Sequence, residues 1–461
     1  MERLVSRRKV LIAIIALMGV LVLSMLTGCS QVDPEYDLVK NRGEYGDLVF
    51  ENMQYLADNY PDRSMGAEGE LNAAQYLASK LASFGYTSEY SSDEGVGLQR
   101  FRINNTRYDG TTLSDIHVYN VIFTKKAAGE SKGVILLSTQ YDNLYQEKTG
   151  DEMWRADGSY ESGSGTATLL ALAELMSNIE CSYDVTFAFF TGGSYGWQGA
   201  SQYVANLKSA DRENIKLNIN FSMLGGGDNL YLYSGEYATD FGGYMRSASD
   251  GLTPNPKDKN VAPFIMENYP MYAFSNIGMI GNQYFLMNRN VPTVNYKSHN
   301  WSCKENPVMT EMQGKANVYH TQNDTLAMMI ERKGEESIKS MLNDVVNSVL
   351  NALSKDNAVA LDSALTLSKG QVESKGQNSQ AAAVTSIAIK LVAVAIFFGI
   401  ALTVRNYIRK NRNLYIKQKP VEEDVVKPFD FDTYPKKDES KDDDDDFDGD
   451  DGKNQPYDPF V

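Results

Sequence analysis

The sequence predicts an α/β fold, with a mixed, mostly parallel central sheet and helices on both faces. Three observations predict it. Short apolar runs of strand length alternate with segments whose apolar positions recur at helical spacing. Runs such as 134–139 and 185–190 are apolar at nearly every position, as strands covered on both faces are. The alternation persists across residues 45–355, close to the upper size for a single hydrophobic core. The prediction also includes an N-terminal signal or anchor and one C-terminal transmembrane helix, both outside that region.

The first 29 residues read as a signal, a lipoprotein signal or an anchor helix. Arg3, Arg7, Arg8 and Lys9 precede an apolar stretch over 10–28, the order of an export signal. At about 1.5 Å per residue this stretch is long enough to cross ~30 Å of hydrocarbon as a helix. It ends in Leu26, Thr27, Gly28 and Cys29, which resembles a bacterial lipobox with Cys29 as the lipidated residue.

Within 45–355, residues 68–84 place Leu71, Ala74, Leu77, Leu81 and Phe84 on one helical face, and Gly85 stops the helix. Residues 134–139 and 185–190 are central strands, and 165–176 is an apolar helix between them. Residues 216–221 alternate as a strand, and 229–233 pairs beside it. An amphipathic helix over 336–353 closes the domain.

A Ser-, Gly- and Gln-rich linker over 367–383 leads to a second apolar segment, 387–404, whose only charge is Lys390. Arg405, Arg409, Lys410, Arg412, Lys417 and Lys419 follow it, so the positive-inside rule places 405–461 in the cytoplasm and the main domain outside the cell membrane. Residues 421–461 hold 16 acidic residues against 5 lysines, most of the chain's net charge of −16, and read as a disordered tail able to recruit a cytoplasmic partner. Asp444, Asp446, Asp448 and Gly449 imitate the start of a calcium loop, but Gln455 stands at its twelfth position. The acidic balance argues against nucleic-acid binding. Cys29, Cys181 and Cys303 cannot form a disulfide framework, although Cys181 and Cys303 leave one pairing open. Three histidines, His117, His299 and His320, limit histidine-based metal chemistry.

Six pieces of the domain, in order, resemble the co-catalytic zinc exopeptidases, the family of bacterial leucyl aminopeptidases, glutamate carboxypeptidase and glutaminyl cyclase. The opening is Tyr60, Pro61, Asp62, Arg63, Ser64, Met65 and Gly66. Asn120, Val121 and Ile122 followed by residues 137–142 resemble the strand pair that ends in the first zinc histidine. Glu161, Ser162, Gly163, Ser164 and Gly165 resemble the turn carrying the bridging carboxylate. Residues 187–201, 220–225 and 319–325 resemble the remaining three.

The resemblance implies a zinc-aminopeptidase-like fold and, in working members, two zinc ions bridged by a carboxylate, each with a histidine and one further carboxylate. A separate glutamate serves as general base. Carried over residue by residue, the first histidine falls at Gln140, with Asp142 as the residue that would orient it. The bridging acid falls at Glu161, with Asp157 nearby. The general base falls at Gly193, its neighbouring ligand at Ser194 and a further ligand at Ser222. Only His320 is unchanged. No Asp or Glu occurs in 185–210 or in 214–227, so a shifted alignment does not restore the acids.

Glu161 and His320 are therefore the residual metal candidates. The expectation is no cofactor and a domain that binds peptide or protein, as the transferrin receptor and nicastrin do with this fold. The alternative is a metallo-aminopeptidase with a remodelled site, with zinc as its cofactor. Gly192, Ser194 and Gly196 also match a nucleophile elbow, with His320 as base and Asp142 or Glu161 as third member. Asp142 and Asp324 otherwise read as loop and cap residues.

Overall fold

A computed structural model describes residues 36–106, 112–149, 152–227, 229–235, 239–249, 281–299, 318 and 320–367. All of them fall within one unit, Met1–Ser374. Both apolar segments, Cys29, Cys303, the acidic tail and all but residue 367 of the linker lie outside the described residues. Among the described residues no helix is long and apolar enough to cross a membrane.

The chain begins with an extended strap, residues 36–45, and then forms α1 (Gly46–Asn59) and α2 (Glu68–Ser83). The pair β1 (Ser91–Ser92) and β2 (Gly95–Val96) leads into β3 (Leu98–Thr106), β4 (Thr112–Lys125) and β5 (Val134–Gln140). A hairpin, β6 (Gln146–Thr149) and β7 (Glu152–Arg155), precedes a π-helical turn, Ser159–Gly163, and α3 (Ser164–Met176). Then come β8 (Asp184–Phe190), α4 (Gln198–Asn206), α5 (Ser209–Asn214), β9 (Ile215–Ser222) and β10 (Asn229–Ser234). α6 (Thr239–Ser249), α7 (Asn282–Met287), β11 (Thr293–His299), α8 (Leu326–Lys333) and α9 (Glu335–Leu353) follow, then a 3-10 turn, Lys355–Asn357, and a helical stretch over 358–367.

Seven strands form the sheet in the order β10-β11-β9-β5-β8-β4-β3. The central four, β11, β9, β5 and β8, are parallel. β10, β4 and β3 join antiparallel, so half of the six pairings are antiparallel and "mostly parallel" overstates the sheet. The strand at 229–234 pairs with β11, which lies between it and β9, and not with β9 itself. β11 reads Thr-Val-Asn-Tyr-Lys-Ser-His, and its polar alternate positions hide it among loop residues in the sequence.

Side chains of β5 alternate between two cores, as strand geometry requires. Ile135 and Leu137 enter the larger core with α1, α2, α3 and α9. Leu136 enters the smaller one with Ala200 and Tyr203 of α4 and Leu286 of α7. α3 enters close to the sheet because residue 165 is glycine. A Cβ there would lie 2.5 Å from Thr139 Oγ1 and 2.8 Å from the Phe221 carbonyl oxygen.

The domain is wider than 45–355, because the strap is fastened to α9 through its main chain. The amides of Tyr45, Gly43 and Asn41 donate to the side-chain oxygens of Asn343, Asn347 and Asn351 at 2.7, 2.7 and 2.9 Å. Four residues of helix rise about 6.0 Å, and two residues of extended chain about 6.6 Å. The two repeats match, so every second amide meets an asparagine. Asn357 continues the row by accepting from Val39 and donating back to its carbonyl. The strap runs antiparallel to α9, with Val39 beside that helix's C-terminus and Tyr45 against Asn343.

Candidate functional site

Strand direction places the sequence-matched residues together. Gln140 ends β5, Ser222 ends β9, and Gly193 and Ser194 follow β8. The C-terminal edge of a parallel sheet is where α/β proteins build sites, because the loops that leave the strands converge there. Glu161 lies in the π-helical turn, a form of helix frequent at functional positions. His320 arrives on the loop before α8, with a left-handed backbone at φ 55°.

Glu161 is the hub. Its Oε1 accepts from Gln140 Nε2 at 3.0 Å and, over a very short distance, from Ser194 Oγ. His320 Nε2 lies 3.0 Å from the same oxygen. The Leu144 amide approaches Oε2 at 3.4 Å. Burial alone would raise this carboxyl, but the His320 charge and the bonds from His320, Ser194 and Leu144 outweigh it and hold it below the usual range.

Asp142 turns elsewhere, accepting the amides of Gly193 and Ser194 at 2.7 and 3.2 Å. It thus fixes the turn after β8. Burial first, and the nearby Glu161 charge second, push its carboxyl up to about 7 against those two amide bonds. Asp324 caps the π-helical turn by accepting from the amides of Tyr160 (2.7 Å) and Glu161 (3.1 Å). Burial, with Glu161 close by, also raises the Asp324 carboxyl well above its ordinary range. Asp157 holds Ser159 and the amide of Leu326, which latches the His320 loop onto the turn. These aspartates are loop and cap residues in their contacts.

Ser222 lies apart from the hub, and its hydroxyl donates to Asn295 Oδ1 at 3.2 Å. Cys181 is a buried free thiol.

The residue that sequence reading left without a role is Arg63. Its side chain is fully buried. Nε donates to the Tyr141 carbonyl at 2.7 Å, one terminal nitrogen to the carbonyls of Tyr60 and Asp157, and the other to Ser162 Oγ. Burial lowers its pKa, opposed by the charges of Asp157, Asp324, Glu161 and Asp142 in that order. One guanidinium therefore stands among three buried acids and the partly buried Asp157. The motif containing Arg63 was visible in the sequence, but nothing in its spacing placed those four acids around it.

These side chains do not fit two zinc ions. An amide and a hydroxyl point protons at the carboxylate oxygen that a cation would need, and Gly193 carries no side chain. A Cβ at position 193 would lie 2.3 Å from Gln140 Oε1 and 2.9 Å from its Cβ, so Gln140 fills the space a glutamate there would enter. Among the described residues no group of three His, Cys, Asp or Glu side chains is placed to hold a metal ion. A serine triad is not assembled either, because the Ser194 hydroxyl and the His320 imidazole both address Glu161.

Comparison with known proteins agrees with this architecture. Residues 120–346 match the model described as Peptidase family M28. The chain is similar to the alkaline phosphatase isozyme conversion protein of Escherichia coli, with 23% identity over 41% of this chain and 54% of that protein. It is also similar to BOS complex subunit ncln of Danio rerio, with 30% identity over 37% of this chain and 28% of that one. The chain thus spans about half, or less, of the length of these curated relatives. A zinc aminopeptidase from Bacillus subtilis superposes over 69% of this chain and 98% of its own, with a TM-score of 0.51 and 13% identity, a likeness of fold. The chain carries a domain of peptidase family M28.

Proposed function

From the premise of a peptidase family M28 domain, we propose that this chain binds a peptide or protein at the former zinc edge and does not cleave it. The observation that carries the reading is the Glu161 oxygen, which faces Gln140, Ser194 and His320. Catalysis in this fold needs a water bound to metal and a base to take its proton. Here Gly193 stands at the base position, and amide and hydroxyl donors occupy Glu161. The exchanges are mutual: Gln140 fills the space beside Gly193, and Ser194 satisfies the acid that would otherwise bridge two cations.

Such a site still offers recognition chemistry. Backbone amides, Gln140, His320 and a buried carboxylate suit the charged and amide groups at the end of a peptide. One relative is itself named as a complex subunit, which accords with a binding role. We place the domain outside a cell membrane, held by the segments at 10–28 and 387–404, with Cys29 lipidated or the first segment retained as an anchor. The tail at 405–461 then meets cytoplasmic partners.

The alternative, an active aminopeptidase, would use Glu161 and His320 as ligands of a single zinc. Elemental analysis of the full chain after dialysis against trace zinc tests both readings. The expected result is less than ~0.1 zinc per chain, with no release of N-terminal residues from unblocked peptides. One tightly held zinc, lost together with turnover in His320→Ala, would replace binding with hydrolysis.

A further inference from the structure

A cleft of about 840 Å³ opens at the pole opposite the Glu161 hub. Lys132, Tyr183 and Pro292 stand just before β5, β8 and β11, and Ile215 opens β9. The cleft therefore lies at the N-terminal edge of the four parallel strands. With seven residues per strand at ~3.3 Å each, it is about 23 Å from the edge that carries Glu161.

Its charge is opposite to that of the chain. Lys132, Arg212, Lys216 and Arg289 line it against only Glu213 and Asp362. Lys132 pairs with Asp362, which also accepts from Tyr183. Arg212 donates to Ser209, and Lys216 donates to the Glu213 carbonyl, so neither positive charge meets a carboxylate through these bonds. The result is a basic cleft in a protein of net charge −16.

Both chain exits converge on this pole. Asp362, Leu365 and Thr366 form one wall of the cleft, and the described chain ends one residue later. The strap leaves beside the C-terminus of α9, where Asn357 holds Val39 and Lys355 pairs with Glu180, just before β8. Only seven residues, 29–35, separate the strap from Gly28, and the eight Cα steps from Gly28 to Tyr36 reach at most about 29 Å. From Leu367 to Ile387 are 20 residues, roughly 25 Å as a flexible coil.

We propose that this cleft faces the membrane and binds the headgroup of an anionic phospholipid. The inference rests on the membrane reading above, because it takes the two apolar segments as the tethers. Lysine and arginine side chains form charge-assisted hydrogen bonds to phosphate oxygens, so an anionic phospholipid complements the lining directly. A cleft with an aliphatic wall at Leu365 and Ile215 also suits the glycerol and the first acyl carbons. The arrangement points the Glu161 edge away from the bilayer, toward whatever arrives from outside.

The test uses full-length protein in a neutral detergent, titrated with short-chain phosphatidylglycerol, short-chain phosphatidylcholine and glycerol phosphate. The expected result is saturable phosphatidylglycerol binding that falls at least about tenfold in Lys216→Glu/Arg289→Glu, with the melting temperature unchanged. Lys216→Gln/Arg289→Gln, with a smaller loss, serves if the reversed charges impair folding. Equal binding of phosphatidylcholine, or no change in either variant, would overturn the proposal. Glycerol phosphate binding as tightly as the lipid would assign the cleft to a soluble phosphate and overturn it as well. So would a tenfold gain on deleting 421–461, which would make the acidic tail its occupant. Because the lipid is offered in solution, the titration does not depend on insertion of the apolar segments. Alkaline extraction of membranes reports insertion separately.

Discussion

The network around Glu161 and the asparagine row of α9 both bury polar groups deeply, yet one is charged and the other neutral. In the first, Arg63 faces Asp142, Asp157, Glu161 and Asp324, and each acid is held by amides or hydroxyls. In the second, Asn343, Asn347, Asn351 and Asn357 meet main-chain groups, chiefly the strap amides, with the carbonyls of Asn343, Ala248 and Asn351 taking further side-chain protons. The asparagine row matches donors to acceptors and carries no charge for solvent pH to alter. The charged ring has more acids than cations and depends on where each proton sits. The difference separates a neutral device for fastening chain from a charged cluster at the C-terminal edge of the parallel strands.

The comparison breaks hardest at Arg63. Arg63→Met leaves buried acids without their cation and should cost ~3–5 kcal/mol, the scale for breaking a buried charge set from one side. Thermal or urea unfolding of the variant measures it. A loss under ~1 kcal/mol would show that the acids are neutral as a group and need no counter-charge.

Acidity comes next. The Asp142 carboxyl is raised to about 7 from an ordinary value near 3.8. A raised acid keeps its proton in the folded state while the unfolded chain loses it. Stability from this group is therefore complete below about pH 4 and declines as pH rises toward 7. Asp324 is shifted in the same direction. Glu161 is shifted downward, so its contribution fades only below the ordinary glutamate range and leaves the window from pH 5 to 7 to the aspartates. The melting temperature should fall between pH 5 and 7.5, by an amount worth a few kcal/mol at most. Asp142→Asn should flatten that fall. A flat wild-type profile would remove Asp142 as a proton-holding group.

The neutral network sharpens the contrast. Asn347 accepts from the Gly43 amide and donates to the Gly43 carbonyl, each within 2.9 Å. Asn347→Ala leaves both groups without these bonds and should cost ~2 kcal/mol at every pH. Parallel unfolding curves at pH 5 and 8 check both the size and the indifference to pH. A pH-dependent cost would mean that Asp344, paired with Arg42 on the same helix, contributes to the fastening.

Different parts of this arrangement were visible in the sequence for different physical reasons. The apolar runs of β5, β8 and β9 and the helix from Glu68 announce themselves, because burial on both faces or on one stripe leaves a periodic trace. β11 does not, since Asn295 and Lys297 face the side where Asn220 and Ser222 form a polar row. Gln140, Gly193, Ser194 and His320 came from the resemblance, and the fold brings them to one edge. Their exchange of hydrogen bonds was not legible, because it depends on the Glu161 rotamer and on the π-helical turn. The asparagines at 343, 347 and 351 recur every four residues in plain view. They read as the wet side of an amphipathic helix until the strap is seen lying on it.

The expected effect at Ser194 bears most directly on what the site does. Ser194 donates to Glu161 and occupies the elbow position between Gly192 and Gly196. If its hydroxyl serves only to satisfy a buried carboxylate, Ser194→Ala removes one charge-assisted bond and costs ~1.5–3 kcal/mol, less whatever water restores. It would then leave ligand capture intact and create no difference in hydrolysis. A nucleophile predicts the opposite: turnover in the wild type, covalent labelling by a fluorophosphonate, and neither in the variant. The Ser194 proton is directed at Glu161, and the imidazole that a nucleophile needs as its base addresses the same oxygen. Stability should therefore move while chemistry does not. Labelled wild-type protein would show that Glu161 releases both partners when a substrate enters.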